Sequence, residues 1–277
     1  MRFLPGESGM VSWSHMQITK RQWLAAGLIF IAVMLAALGW FDFAKAPASA
    51  PGTAGPAASS TEPGVPQAVT PAASVKPFTL SAADTIASWS FKGAYTGNDT
   101  LIQQANADSA HLTALLGKGQ YDDYDLHIGI GNNFNLLGDG DAAYAEYRKA
   151  VAVHPEKGLA FANIGHLMDE LGAYHSAADA YAHAVAVEPA VLEYHLERLD
   201  FLVKRFPTDN ARIAAALTDA HNQFGDVAQE LTIEAQWLTG QKRYADAIAI
   251  WQRVKLISPG RDMTAIDAEI ARLEAKQ

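Results

Sequence analysis

Two kinds of hydrophobic pattern divide this chain. From Trp23 to Phe41 nineteen residues run without a charge, whereas beyond about Leu80 apolar residues return every three or four positions with polar ones between them. At helical rise the first pattern spans roughly the 30 Å hydrocarbon layer of a bilayer, and it predicts a transmembrane helix over 22–42. The second places apolar side chains along one face of successive helices; nothing sustains the strict alternation of a strand, so the expected fold class is all-α. Between the two, residues 46–75 hold six of the twelve prolines, no aromatic and a single charge. A linker over 43–77 is therefore expected, stiffened by proline and reaching from roughly 30 Å as a coil to about 90 Å as an extended polyproline helix.

Charge sets the expected orientation. Arg2, Lys20 and Arg21 precede the span against Glu7, while Asp42 and Lys45 cancel just after it. The positive-inside rule then leaves 1–21 in the cytoplasm and everything after the span outside it, in a bacterial envelope the periplasm. Trp23 and Trp40 stand where interfacial aromatics belong. A cleaved secretory signal competes with this reading through the small residues Ala48, Ser49 and Ala50, but the apolar run exceeds a signal core and Pro51 would follow the cut.

The helical part repeats itself. Shifted by 34 residues, the chain matches at eleven of 26 positions, among them Ile130/Ile164, Gly131/Gly165, Ala143/Ala177, Tyr147/Tyr181, Ala150/Ala184 and Pro155/Pro189. A weaker copy follows in Leu231, Ala235, Leu238, Ala247, Trp251 and Pro259, with Glu234 in an apolar slot and Val254 in a small one. Pro259 lies 70 residues beyond Pro189, which leaves room for one unit of 36 residues that lacks the small slot. The units are expected at 124–157, 158–191, 192–227 (degenerate) and 228–261, behind a helical cap at 78–123. Residues 262–277 carry Ile266, Ile270 and Leu273 on one face, as a terminal capping helix requires.

These positions resemble the tetratricopeptide-repeat (TPR) family: a bulky residue, an apolar–small pair three on, a small residue opening the second helix, an aromatic and a closing proline. The expected packing follows from side-chain size, because a small residue on the first helix lets the aromatic of the second approach closely. It also explains "GIGNNFNLLGDGDAAY" at 129–144, which has neither the Gly-Lys-Ser/Thr of a phosphate loop nor the closing glutamate of a calcium loop. Gly131 is expected to be the close-packing residue, Gly138 the helix end, and Asp139–Asp141 the turn and cap of the next helix. Gly129 and the segment 88–97, "SWSFKGAYTG", fit no template.

Other chemistry is thinly represented. With no cysteine, thiolate metal sites and cysteine nucleophiles drop out. No His-x3-His pair occurs, His127 falls in a core slot, and neither metal nor cofactor is expected. Asp122, Asp123 and Asp125 read as acidic residues favoured at a helix start. Trp237 and Trp251 read as core aromatics, and Asn98-Asp99-Thr100 formally matches a glycosylation acceptor. Beyond residue 75, 17 basic residues face 27 acidic ones, a net of −10 that repels phosphate backbones, so no nucleic-acid partner is expected. No nucleophile elbow, zincin helix or dinucleotide fingerprint is present, and no enzyme is expected.

What the resemblance implies is an interaction module whose concave wall takes a polypeptide. Carried over from the family pattern, the wall comprises Asp125, Ile128, Asn132, Asn135, Leu159, Ala162, His166, Asp169, Glu170, Gln229, Thr232 and Gln236. In the family's carboxylate clamp, Asn132 and Asn163 would fall at the two asparagine places, but Ile128, Glu193 and Glu197 stand where basic residues belong. An acidic, amide-lined groove should instead prefer a basic or neutral segment. The expected role is a membrane-tethered scaffold for a polypeptide partner in envelope assembly. A narrower alternative is the anchored TPR subunit of cytochrome c maturation, presenting apocytochrome; one of another class is a polysaccharide-secretion scaffold or glycan-acting protein, which the absence of aromatics from the wall disfavours.

Overall fold

The computed structural model describes residues 78–277. The expected membrane span at 22–42 and the expected linker at 43–77 lie outside the described residues. Among the described residues no helix is long and apolar enough to cross a membrane.

Among the described residues ten helices follow in order: α1 Asp99–Leu115, α2 Asp123–Leu137, α3 Gly140–Val153, α4 Leu159–Glu170, α5 Tyr174–Val187, α6 Leu192–Arg205, α7 Asn210–Phe224, α8 Ala228–Gly240, α9 Tyr244–Ile257 and α10 Thr264–Glu274. Helices α2/α3, α4/α5, α6/α7 and α8/α9 pair as hairpins, α1 packs ahead of the first and α10 against the last. One continuous core joins them, from Phe78 to Leu273. Among the described residues the only extended pairing is an isolated bridge between Ser90 and Asp139.

Local chemistry sets the first hairpin. Asp122 caps α2 by accepting from the Tyr124 amide, Gly138 ends it in the left-handed region at φ 82°, and Asp139 caps α3 by accepting from the Ala142 amide. Asn98, the formal glycosylation acceptor, is the cap of α1. Gly129 also finds its reason here, because a Cβ on it would stand 2.9 Å from the Leu112 side chain of α1. The glycine lets α1 lie close against α2.

The segment 78–97 is a strap, and it runs backwards along the array. Phe78 packs edge-on against Phe161 and His183 of the second hairpin. Further on, the Asp84 carboxylate accepts from the backbone amides of His175 and Ser176 and from the Ser176 hydroxyl (3.2, 2.6 and 2.7 Å). Helix α5 has no side-chain cap of its own, so a residue more than ninety positions upstream provides it. The strap then reaches the first hairpin: Trp89 stacks on Tyr144 and its carbonyl accepts from Gly140, the Phe91 amide donates to the Gly138 carbonyl, and the Tyr95 amide donates to that of Leu136. The unpaired N–H and C=O groups at the α2–α3 turn are thus satisfied by "SWSFKGAYTG".

The third hairpin differs. Where the first two carry glycine, α6 carries Leu199, fully buried, while α7 contributes the small residues Ala216 and Ala220 to the core. The junction that follows is also altered: α4 packs on α3 and α6 on α5, but α8 leans mainly on α6 and barely on α7. A cleft is left between α7 and the last hairpin.

Candidate functional site

Hydrogen bonds tie the two helices of the first hairpins together on their polar side. A Cβ on Gly131 would come 2.5 Å from the Tyr147 ring, and one on Gly165 would come 2.8 Å from that of Tyr181. The aromatic of the second helix therefore rests directly on the backbone of the first, twice, at a separation of 34 residues. This is the packing of a TPR-like helix hairpin, the pattern that the sequence resembles. The phenols also reach through to the first-helix face: Tyr147 donates to Asn132 Oδ1 (2.8 Å), and Tyr181 Oη lies 3.0 Å from His166 Nδ1. Burial pushes both phenol pKa values up, helped at Tyr181 by the Glu197 charge, so the hydroxyls stay protonated and fixed.

No family model and no curated protein matches the chain. Among solved structures it is similar to a TPR protein from Parabacteroides merdae (15% identity, 64% of this chain and 76% of that one, TM-score 0.47). A thermophilic TPR protein from Thermus thermophilus is similar at 16% identity, over 64% of this chain and 93% of that one, with a TM-score of 0.43. The TPR2AB domain of yeast Sti1, solved with pHSP90, is similar at 17% identity over 65% and 86%, with a TM-score of 0.36.

The TPR pattern marked twelve wall positions, and their surroundings sort them. Asp125, His166, Glu170, Gln229 and Gln236 are exposed. Asn135 and Leu159 are half-buried, and Leu159 packs against the core. Asn132 accepts from Asn163 (3.2 Å) as well as from Tyr147, so its carbonyl is occupied within the protein. Asp169 is paired with Arg205 (2.6 Å), whose pKa that hydrogen bond raises. The Thr232 hydroxyl donates to the Ala228 carbonyl one turn back. Ile128 and Ala162 need correction: each is 2% exposed and belongs to the core, so neither offers a surface to a partner. Their positions lie on the first-helix face, but neighbouring elements cover apolar side chains there that a single-hairpin pattern treats as open.

Several contributors escaped the sequence reading. His166 Nε2 stands 3.3 Å from Glu197 Oε1 on the next hairpin, completing a Tyr181–His166–Glu197 chain from α5 through α4 to α6. The asparagines at the clamp positions bind each other, and Glu197, at a place where a clamp has a base, holds the histidine. His127 is half-buried rather than core, paired with Glu146 at 2.7 Å. His154 and His221 likewise meet Asp122 and Asp226. Apart from Asp226, which lies in the turn just after the helix of His221, each partner comes from another element, so helical spacing within one segment carried no signal. No group of three or more ligating side chains that could hold a metal occurs among the described residues.

Proposed function

We propose that this chain is a membrane-tethered, non-catalytic TPR scaffold that gathers a polypeptide partner outside the cytoplasmic membrane for assembly of an envelope complex. The observation that carries the partner chemistry is the exposure of Asp125, Glu170, Glu193 and Asp200 along α2, α4 and α6, next to the amides of Asn132 and Asn163. Arg205 is the cation built into that face, and Asp169 already neutralises it. A basic or neutral extended segment fits such a surface, since an acidic one would meet like charge. The tether and the periplasmic placement rest on the uncharged run of 23–41, the basic residues ahead of it and the proline-rich stretch behind.

Crosslinking in native membranes, comparing wild type with Asp125→Lys/Glu170→Lys, tests the reading. The captured partner should be lost from the reversed variant and should carry a basic or neutral segment at the crosslink. Capture unaffected by the reversal, or a crosslink on the outer helices α3 or α5, overturns it.

A further inference from the structure

The cleft between α7 and the last hairpin exists because a slot sealed elsewhere is open there. Ile130 and Ile164 fill the apolar slot of the first two hairpins at 3% and 0% exposure. The matching residue of the last hairpin is Glu234, which lines an open cleft of about 440 Å³. Its lining is mostly apolar, with Leu217 of α7, Trp237 and Leu238 of α8, and Ala249 and Ile250 of α9; Thr218 and the Arg243–Asp246 ion pair also line it. Trp237 is held in place, donating from its indole to the Pro207 carbonyl at 2.9 Å.

The charges around this cleft do not balance. Arg253 forks onto Asp226, which also faces His221, and Arg243 pairs with Asp246. Glu230, buried one turn before Glu234, adds another carboxylate. Both nearby arginines are therefore engaged, and no hydrogen bond or ion pair among the described residues holds Glu234. Burial pushes its carboxyl pKa up, against the pull of Arg253 and Arg243, as for a charge short of a partner. At about 100° per residue, Glu234 points roughly opposite Gln229, Thr232 and Gln236, with Trp237 to one side between them, so the carboxylate of the cleft and the wall positions occupy different faces of α8.

We propose that this cleft is a second binding site, which takes a lysine or arginine side chain from a partner polypeptide. The cationic head meets Glu234, and the aliphatic stem lies along Leu217, Trp237 and Ile250. A negative centre on an apolar, open-sided floor suits a side chain that is greasy along its length and charged at its tip. The opening toward solvent leaves room for the backbone that carries it.

The test uses the full chain in a neutral detergent, with saturation-transfer NMR on the capped peptide Ac-Ala-Lys-Ala-amide and its norleucine analogue. The lysine peptide should bind saturably and the norleucine peptide at least tenfold more weakly. Glu234→Gln should weaken the lysine peptide about tenfold with unchanged helicity by circular dichroism. Ala249→Trp, which fills the cleft from an exposed position, should abolish binding and keeps the test decisive if the glutamine variant misfolds. Equal binding of both peptides, binding that survives Ala249→Trp, or binding lost in Asp125→Lys/Glu170→Lys but kept in Glu234→Gln overturns the cleft site. Free pentylammonium, which carries the same stem and charge, should compete with the lysine peptide; failure to compete overturns recognition through the side chain.

Discussion

The second and third hairpins meet at the same place on the first helix with side chains of opposite size, glycine in one and leucine in the other. In α4/α5 the first helix gives way: Gly165 leaves no side chain, and Tyr181 lies on its backbone. In α6/α7 the matching position of the first helix is Leu199, fully buried, and the second helix brings Ile213, Ala216 and Ala220 to the core with no aromatic among them. The first arrangement also projects a phenol through to the groove, where it orients His166, whereas an aliphatic side chain carries no polar tip. What changes between the two is less the stability of a hairpin than what it can present, and how snugly the next one can follow.

That comparison can be broken at its slots. Leu199→Ala is expected to have the largest effect, about 3 kcal/mol of destabilisation from lost burial and the cavity left behind. Urea melts followed by circular dichroism would measure it, and a loss below about 1 kcal/mol would mean that α6 and α7 do not pack through this residue. Next is Glu230→Gln, at the last hairpin. Burial, with Glu234 and Asp226 adding, pushes the Glu230 carboxyl up to about 7 from an ordinary 4.5. The folded protein therefore binds a proton more tightly than the unfolded chain, and stability should fall as pH rises from about 4.5 through 7. The glutamine variant should remove that slope and gain on the order of 2 kcal/mol above pH 7. An unchanged pH profile would locate the slope in another group.

Gly165→Ala sharpens the contrast from the other side. The added methyl must displace the Tyr181 ring, so the variant should lose about 1–2 kcal/mol despite alanine's better helix propensity. Since the ring carries the hydroxyl that meets His166, the His166 ring resonances should shift with it; a stabilised variant would contradict the contact. Smallest is Asp84→Ala, about 1 kcal/mol, from loss of the cap on α5. Burial opposes the Asp84 charge, but hydrogen bonds from Ser176 and His175 outweigh it and lower its pKa. Its share of stability is therefore present above the ordinary carboxylate range and lost as pH falls through the folded value. Amide exchange at His175 and Ser176 should quicken in the variant.

The fold was legible wherever one residue's size decided a contact. Gly131 and Gly165 against Tyr147 and Tyr181, Gly138 at the helix end and Leu273 under the last helix are all written in local spacing. Gly129 was not, since its reason is Leu112 on an earlier helix, and neither was 88–97, whose backbone groups are satisfied at a turn some forty residues on. The groove was legible only in outline. The helical face of Ile128 could be read, but what covers it could not, and the Glu197 that faces His166 sits on another hairpin.

The backward course of the strap has a mechanical consequence. The chain enters the described array not at its first helix but beside Phe161 and His183, at the second hairpin. Tension transmitted from the N-terminal side would first tug at Phe78 and at the Asp84 cap of α5, and would reach the α2–α3 turn only after those contacts had peeled away. A pull from the N-terminal side would thus loosen the hairpin that holds His166 before it disturbed the ends of the array.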